Sequence, residues 1–526
     1  MTNPGVSVSP RSLWRILSAA VACIAAIAVW RTATVFSGTV DEPAHIAAGV
    51  ELLSGGRYAY DLQHPPLGRI AAAIGPLADG ARFTGAPGVY DEGAIILGSG
   101  ARYVKRLAAA RHGEIVFFML LAATTWWWGM LLLDDAGGYF ATLLLVTNPN
   151  ILAHAGLATT DIACAATTTL ALLSAARWLD DASGRRTFCL GLSAGMAIGS
   201  RLSALGFMAL PFAAFWVMRR AVTRTWLPGG ADSRTTLVRL VGAGVLAAVT
   251  IAAAYFFHLG AFVSGVDTFL RHGSSGHPTF LLGTPRNRGW WYYYPVAVLV
   301  KTPLPLLLLA AIGSIAVLRQ LRARSAWQPA APLVAGALML ALSMTVRVDL
   351  GVRLVLPIYP LMAVMGAVGI RELLSQPARR AGAVLAALLL FVAAFIPMRA
   401  HPDYLAYFNL FAGAHPEHVL VDSNLDWGQD LYRLRDTLQA RGIRDSVRVA
   451  YFGTADLAAA GVPNSRLLGL HERATGWIAA SETFLAGEWV GGAYAWLLNY
   501  PATARIGPSM RLWYIPADST TGSSPR

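Results

Sequence analysis

Long runs of hydrophobic residues, separated by short polar segments, fill most of the first four hundred positions of the chain. Most runs reach the roughly 17 to 25 residues that a helix needs to cross the hydrocarbon layer of a bilayer. We predict about eleven transmembrane helices. They lie near residues 14–36, 114–133, 138–153, 156–178, 187–201, 203–218, 238–258, 291–318, 330–347, 353–370 and 381–398.

Composition supports a membrane location independently of this pattern. Hydrophobic residues make up 55% of the 526 positions and charged residues only 13%, which is too few to cover one soluble core with a solvated surface. The first run is longer than the apolar core of a signal peptide, and no small-residue cleavage site follows it, so we expect a retained anchor. The sequence therefore predicts an α-helical, multi-pass protein of the plasma membrane.

Basic residues in the short connections set the expected orientation. Arginines cluster in alternate loops, for example at 185–186, 219–220 and 379–380, and such loops are typically cytoplasmic. With an odd number of spans, the N-terminus is then cytoplasmic and the C-terminal segment extracytoplasmic. The net charge of +13 is spread over these loops instead of forming one basic stripe, so nucleic acid is not an expected partner. The expected partners include membrane lipids.

Two polar regions interrupt the hydrophobic pattern. The first outer loop, 38–112, contains amphipathic stretches at 43–53 and 67–77, which predict short helices lying in the membrane interface. From 399 the pattern changes to alternating charged and apolar residues, with a predicted helix at 427–440 and a strand at 447–452. We therefore expect a membrane domain at 1–398, a small outer α/β domain at 399–517 and a disordered tail at 518–526.

Asp41-Glu42-Pro43 is the first candidate for chemistry. One interpretation is structural: Asp41 caps a helix, and both acidic side chains complement the helix dipole. The other is catalytic: Asp41 withdraws a proton from an acceptor hydroxyl at the membrane surface, and its neighbour Glu42 tunes its basicity. Capping and catalysis use different lone pairs, so the sequence leaves both open.

Basic residues gather near the predicted outer surface. His64-Pro65-Pro66-Leu67-Gly68-Arg69 stiffens the loop and presents Arg69 on the first turn of a helix. Charged residues within spans are costly and often functional, although those near helix ends can snorkel to water. These candidates are Asp161, Arg201, Lys301, Arg347 and Arg353. A convergence of basic side chains would suit a departing phosphate.

Metal and redox chemistry are not expected. Asp422 to Asp430 resembles a calcium loop at its first positions, but Trp427 and Arg433 occupy places that require Gly and a bidentate Glu. We interpret it as a loop that caps a helix. The three cysteines lie in apolar runs, and two outer-loop histidines, His272 and His277, are more often interfacial hydrogen-bonding groups than ligands. We predict no cofactor and no metal site, and leave any divalent-ion dependence open.

These motifs together resemble the membrane glycosyltransferases of the GT-C fold, especially bacterial members of the protein O-mannosyltransferase and aminoarabinose lipid A transferase group. The resemblance rests on motifs that occur in the same order along the chain. They are Asp41-Glu42, His64 to Arg69, Thr160-Asp161, Arg201, Lys301-Thr302-Pro303, Gly351-Val352-Arg353, Asp422 to Asp430 and Tyr451-Phe452-Gly453.

The resemblance implies an inverting transfer of a sugar from a polyprenyl-phosphate donor to a hydroxyl of a glycan, lipid or protein. Asp41 would be the base and Glu42 would support it. The donor phosphate would lie near Arg69, Arg201, Lys301 and Arg353, with His64, Asp161 and Arg347 as further substrate-site candidates. The family often has Lys where this chain has Arg69, and Tyr where it has Leu354. The second difference removes a possible hydroxyl contact to the phosphate.

Two other classes of protein stay open on the sequence. A transporter of lipid-linked glycans also needs a basic, membrane-facing cavity, although transporters commonly show repeated halves and broken helices near the midplane. A non-catalytic subunit of glycan assembly would fit if Asp41 were only a helix cap. Accumulation of free polyprenyl phosphate separates the enzyme from both.

Overall fold

The protein is a helical, multi-span membrane protein with a C-terminal mixed β-sheet. Its structure, a computed structural model, describes residues 9–323, 326–375 and 379–517. Twenty α-helices occur in this part of the chain: α1 Pro10–Thr32, α2 Glu42–Gly55, α3 Pro66–Ala78, α4 Val89–Leu97, α5 Gly100–Gly113, α6 Ile115–Leu132, α7 Asp135–Val146, α8 Pro149–Ala155, α9 Asp161–Asp180, α10 Gly184–Ser200, α11 Ala204–Thr223, α12 Ser233–Ala254, α13 Leu259–Ser275, α14 Tyr293–Lys301, α15 Leu304–Arg322, α16 Ala331–Ser343, α17 Ile358–Ser375, α18 Arg379–Ala400, α19 Leu431–Ala440 and α20 Glu482–Leu485.

Eight helical segments of the described chain are long and apolar enough to cross a membrane. They are Pro10–Thr32, Gly100–Leu132, Asp161–Asp180, Ala204–Thr223, Ser233–Ala254, Leu304–Arg322, Ile358–Ser375 and Arg379–Ala400. Two shorter apolar helical segments, Asp135–Val146 and Gln328–Ser343, lie within or beside other predicted spans. The prediction of a polytopic helical protein is thus confirmed, but about eight candidate spans are found in the described chain instead of the predicted eleven.

Two of the predicted spans are each divided between two α-helices. The run at 138–153 is divided between α7 and α8, because the Asn148 side chain accepts a hydrogen bond from the amide of Asn150 and Pro149 begins a new helix. The run at 291–318 is divided between α14 and α15 at Thr302-Pro303, where the proline cannot continue the preceding helix. The second break places Lys301 at a helix C-terminus.

Helices α2 and α3 correspond to the stretches predicted at 43–53 and 67–77. They cross closely at Gly49, where a Cβ atom would overlap the carbonyl oxygen of Arg69 and lie 2.8 Å from the Cβ of Ala73. Only glycine lets the two backbones approach in this way. This crossing fixes the position of α3, and thus of Arg69, relative to Asp41 at the start of α2.

Replacing Gly49 with Ala should lower the thermal stability of the purified protein. The added methyl group must push α2 away from α3, and overpacking of this kind costs about 1 to 3 kcal/mol. Gly55→Ala is the matched control, since a Cβ at Gly55 in the same helix meets no atom within 4 Å. Thermal unfolding in detergent compares the two variants, and equal melting temperatures would show that the helices do not depend on this close approach.

Strands near the C-terminus form a mixed sheet. Five strands occur there: β3 Val447–Ala450, β4 Ser465–Leu467, β5 Gly476–Ser481, β6 Ala504–Ile506 and β7 Met510–Ile515. Their order is β4-β3-β5-β7-β6, with β3 parallel to β4 and β5, and β7 antiparallel to β5 and β6. A separate hairpin, β1 Thr279–Leu281 with β2 Thr284–Arg286, lies in the loop after α13. The mixed α/β character predicted for this segment is confirmed.

The boundaries of two predicted elements differ from the structure. The helix predicted at 427–440 begins only at Leu431, because residues 422–430 form a buried loop whose polar groups bond to neighbouring segments. The strand predicted at 447–452 ends at Ala450. The tail predicted to be disordered, 518–526, lies outside the described residues.

A hydrophobic cluster joins the C-terminal sheet to the first outer loop. It combines apolar side chains of α2, α3 and α5 with those of α19, β3 and β7. Members include Ile46, Val50, Ala73, Leu107, Leu434, Val449 and Leu512. Since burial of one shared apolar surface favours docking of the two regions, the sheet helps to hold the start of α2 in place.

Candidate active site

Asp41 is positioned by backbone pairing between the first loop and the C-terminal segment. The amides of Ser37 and Val40 donate to the carbonyl oxygens of Gln429 and Trp427, each at 3.0 Å. Asp41 follows at the N-cap of α2, yet within the described chain its side chain makes no capping hydrogen bond. Asp41 thus occupies the predicted N-cap position, but its carboxylate does not cap the helix, and its oxygens are available for other partners.

Asp41 is paired with Arg353. Its Oδ2 accepts a hydrogen bond of 2.7 Å from Nη1 of Arg353, and 24% of the Asp41 side chain remains exposed. The guanidinium lies 4.3 Å above the ring of Trp427, which orients it. Burial raises the pKa of Asp41, the charge of Arg353 opposes that rise, and the net pKa is above its usual value. A raised pKa makes a carboxylate a stronger base.

Glu42 has a different environment from its neighbour. Its carboxylate is completely buried and forms a two-pronged ion pair with Arg111, with both contacts at 2.7 Å. It also accepts from the amides of Thr39 at 2.8 Å and Ala158 at 2.9 Å. Burial alone would raise the pKa of Glu42, but Arg111 and these amides outweigh it and lower the pKa. Glu42 is thus a structural anchor that ties the start of α2 to the loop before α9.

Asp161 and Arg201 form a second ion pair. Asp161 begins α9, Arg201 follows the last residue of α10, and the guanidinium of Arg201 donates to the Asp161 carboxylate. Thr159 also donates to this carboxylate at 2.9 Å, and a ring nitrogen of His154 lies 3.6 Å away. The charge of Asp161 is close enough to act on both Asp41 and Arg353. The structure therefore brings these two predicted residues to the Asp41 site.

Lys301 is linked to the site through Asn424. Its ammonium group donates to the carbonyl oxygens of Asn424 at 2.6 Å and Leu405 at 2.7 Å. The Asn424 side chain in turn accepts at 3.1 Å from the amide of Val352, next to Arg353. Lys301 is buried among these carbonyls. Its contacts connect the end of α14 to the buried loop 422–430.

Arg69 belongs to a neighbouring buried cluster. Its guanidinium donates to the carboxylate of Asp61, to the Tyr58 hydroxyl at 2.8 Å and to His45 Nδ1 at 3.0 Å. His64 lies between this cluster and the Asp41 site: burial, and then the charges of Arg69, Arg201 and Arg353, hold its pKa well below the usual value. His64 is therefore neutral at pH 7, and its ring can exchange hydrogen bonds without carrying charge.

Arg347 does not join these clusters. It is exposed on the turn before Arg353, whereas Asp349 on the same turn is buried and accepts from the amide of Trp290 at 2.7 Å. Gly351 has a φ of +82°, and a Cβ atom at this residue would lie only 2.6 Å from Ser423 Oγ. A side chain at this position would collide with Ser423 and crowd Asn424.

Sequence reasoning missed several residues that build the site. Trp427 had been noted only as a mismatch to a calcium loop, and Arg111 was not singled out among the basic residues. Asn424 and Asp61 were not considered as partners of the cations. The available signal for these residues was the high density of polar residues at 422–430, a segment that is buried in the structure. Across the described ranges, no group of three or more His, Cys, Asp or Glu is arranged to hold a metal ion.

Comparison with solved structures places this fold among known membrane proteins. The chain is similar to ArnT from Cupriavidus metallidurans in its apo state, with a TM-score of 0.53 and 14% identity over 96% of this chain and 98% of that one. The same ArnT bound to undecaprenyl phosphate gives a TM-score of 0.52 and 12% identity over 95% and 98% of the two chains. An oligosaccharyltransferase of Archaeoglobus fulgidus scores 0.48 at 13% identity, over 88% and 68%.

No protein-family model and no curated protein sequence matches the chain. The structural similarity agrees with the GT-C resemblance at the level of the fold. The protein therefore has an ArnT-like membrane fold of the GT-C type.

Proposed function

We propose that the protein is a membrane glycosyltransferase. It moves a sugar from a polyprenyl-phosphate donor to an acceptor hydroxyl on the extracytoplasmic side, with inversion at the anomeric carbon. Asp41 removes the proton of the attacking hydroxyl, and Arg353 stabilises the departing phosphate. One observation carries the proposal: the Asp41 carboxylate does not cap its helix, is partly exposed and contacts a buried arginine.

The ion pair suggests how donor binding prepares the base. Without donor, Arg353 neutralises Asp41 at 2.7 Å. The donor phosphate is a diester with one negative charge, like a carboxylate, but its two free oxygens can bind the planar guanidinium bidentately, so it competes for Arg353. Asp41 then loses its strongest cationic neighbour while it stays desolvated, and its pKa rises further. The carboxylate becomes more basic when the sugar is in place.

The surrounding cations complete the proposed donor site. Arg201 lies beside the Asp41–Arg353 pair through Asp161, and Lys301 through Asn424. Arg69 is connected less directly, since its guanidinium bonds to Asp61 and Tyr58. We assign Arg353 the direct phosphate contact and retain Arg201, Lys301 and Arg69 as supporting cations. The similarity to ArnT, which has been crystallised bound to undecaprenyl phosphate, supports such a donor site.

Arg353→Ala should reduce turnover by about 100- to 1,000-fold, the usual loss when one donor to a developing negative charge is removed. Arg353→Lys should recover only part of the activity, because an ammonium group preserves charge but not the bidentate geometry. Arg288→Ala, at an exposed arginine of the loop before α14, is the matched control and should leave turnover unchanged.

The assay measures polyprenyl phosphate released from a polyprenyl-phosphate sugar by purified protein in the presence of membrane-derived acceptor. Release shows an enzyme, whereas a transporter or an assembly subunit would leave the donor intact. Wild-type protein that binds donor but releases no polyprenyl phosphate would overturn the proposed function.

A further inference from the structure

Trp489 is a strained and exposed residue beside the site. Its φ of +68° lies in the left-handed region that bulky side chains rarely adopt, and 45% of its surface is exposed. Asp422, which has φ of +54°, accepts a hydrogen bond from the Trp489 indole at 3.4 Å. Strain of this kind persists only where the surroundings impose it, and it concentrates at ligand sites. Two such residues in direct contact are therefore unusual.

The indole ring is held rigidly by its neighbours. It stacks on Phe452 with ring centres 5.8 Å apart and an angle of 30°, and His277 meets it edge-on at 4.5 Å. Phe452 packs in turn on Phe484 at 6.0 Å. The loop that carries Trp489 begins and ends with glycines of positive φ, Gly487 and Gly491-Gly492. One face of a large aromatic ring is thus fixed in position while much of its surface stays accessible.

The chemistry of this surface fits a saccharide. Aromatic rings offer broad apolar contact with a polar handle, and small-ligand sites combine such surfaces with a few placed polar groups. Here the ring can pack against the C–H face of a pyranose, while the half-buried His277 can hydrogen-bond to a hydroxyl; Asp422 is buried and holds the indole. The charge of the Asp422 carboxylate disfavours an anionic group such as a lipid phosphate.

The surface adjoins the proposed reaction centre. The charge of Asp422 acts on both Asp41 and Arg353, and the next residues of its loop contact the turn that carries Arg353. A molecule packed on Trp489 would therefore extend toward Asp41 from the side of the C-terminal sheet. This is a direction from which an acceptor hydroxyl could approach.

We propose that Trp489, His277 and Asp422 form a binding subsite for a neutral pyranose unit of the acceptor. The acceptor role rests on the proposed function, whereas the binding of a pyranose by this surface does not. The sugar packs on the indole, which Asp422 holds in place, and one of its hydroxyls hydrogen-bonds to His277. The acceptor is then a glycan or glycolipid, not an unmodified peptide.

Fluorine NMR of protein labelled with 5-fluorotryptophan tests this subsite. The protein is held in nanodiscs, since alkyl maltoside detergents would themselves present a sugar. The Trp489 resonance is assigned by its loss in Trp489→Phe, and exposed Trp226, on a connection predicted to be cytoplasmic, is the internal control. The probes are methyl α-D-mannopyranoside, methyl β-D-glucopyranoside, maltose and cellobiose, with glycerol and glycerol phosphate for comparison.

We expect at least one pyranoside to shift the Trp489 resonance in a saturable way, to leave Trp226 unchanged and to have a weaker effect in His277→Ala. A Trp489 resonance that no pyranoside moves overturns the subsite, and so does a response to glycerol phosphate alone. The transfer assay separates the two proposals. If wild-type protein binds pyranosides but releases no polyprenyl phosphate, the enzymatic function is wrong. If Trp489→Ala transfers sugar as well as the wild type does, the acceptor subsite is wrong.

Discussion

Asp41→Asn should abolish sugar transfer while donor binding is retained. The amide keeps the shape of the side chain but cannot accept a proton, and loss of a positioned base costs about 100- to 10,000-fold in rate. Removing the carboxylate also frees Arg353, so the affinity for undecaprenyl phosphate should stay the same or increase. In the wild-type protein, activity should fall on acidification with an apparent pKa above 3.8, the ordinary value for Asp, because burial raises the pKa of Asp41.

Two measurements check this result: release of polyprenyl phosphate for turnover, and binding of undecaprenyl phosphate by native mass spectrometry. Asp267→Asn is the matched control, since Asp267 is an exposed aspartate of α13 whose partner is Arg271 one turn away. It should behave like the wild type. Full turnover in Asp41→Asn would reject Asp41 as the base, and loss of lipid binding there would show a role in binding instead.

Glu42→Gln should strongly destabilise the fold. Glu42 and Arg111 are both fully buried, and a neutral amide would leave the Arg111 charge in the interior without its carboxylate. Breaking a buried pair in this way costs about 3 to 5 kcal/mol. Because the folded-state pKa of Glu42 is lowered, its contribution to stability is complete above the unfolded value of 4.5 and is lost as pH falls through the lower, folded value.

Thermal unfolding in detergent at neutral pH measures the effect. Asp267→Asn again serves as the control, because exposed ion pairs contribute little to stability. An unchanged melting temperature in Glu42→Gln would mean that the pair is not structural. Glu42→Gln protein that does fold should release more polyprenyl phosphate than Asp41→Asn, since Glu42 anchors the loop and does not receive the proton.

The sequence identified the class of fold because hydrophobic length is a direct consequence of bilayer thickness. It did not predict the breaks at 147–148 and 302–303, where Asn148 and Pro303 interrupt runs that remain hydrophobic throughout. Hydrophobicity reports burial in lipid or protein equally, and it does not distinguish a continuous span from two helices that meet inside the protein.

The site could be predicted only in part, because pairing across the chain is not visible in local motifs. Asp41 and Glu42 are adjacent in sequence, yet one contacts Arg353, 312 positions away, and the other contacts Arg111, 69 positions away. Their different partners give them different pKa shifts and different roles. The contact between the ring of Trp427 and Arg353 is likewise not visible in the sequence, because only the fold brings the two residues together.

The position of the donor phosphate tests the central claim most directly. A cryo-electron microscopy structure of the protein with undecaprenyl phosphate in nanodiscs would show it. We expect the phosphate at hydrogen-bond distance from the Arg353 guanidinium, about 2.7–2.9 Å, with the Asp41 carboxylate released and beside it. A phosphate bound elsewhere, with the Asp41–Arg353 ion pair intact, would contradict the account.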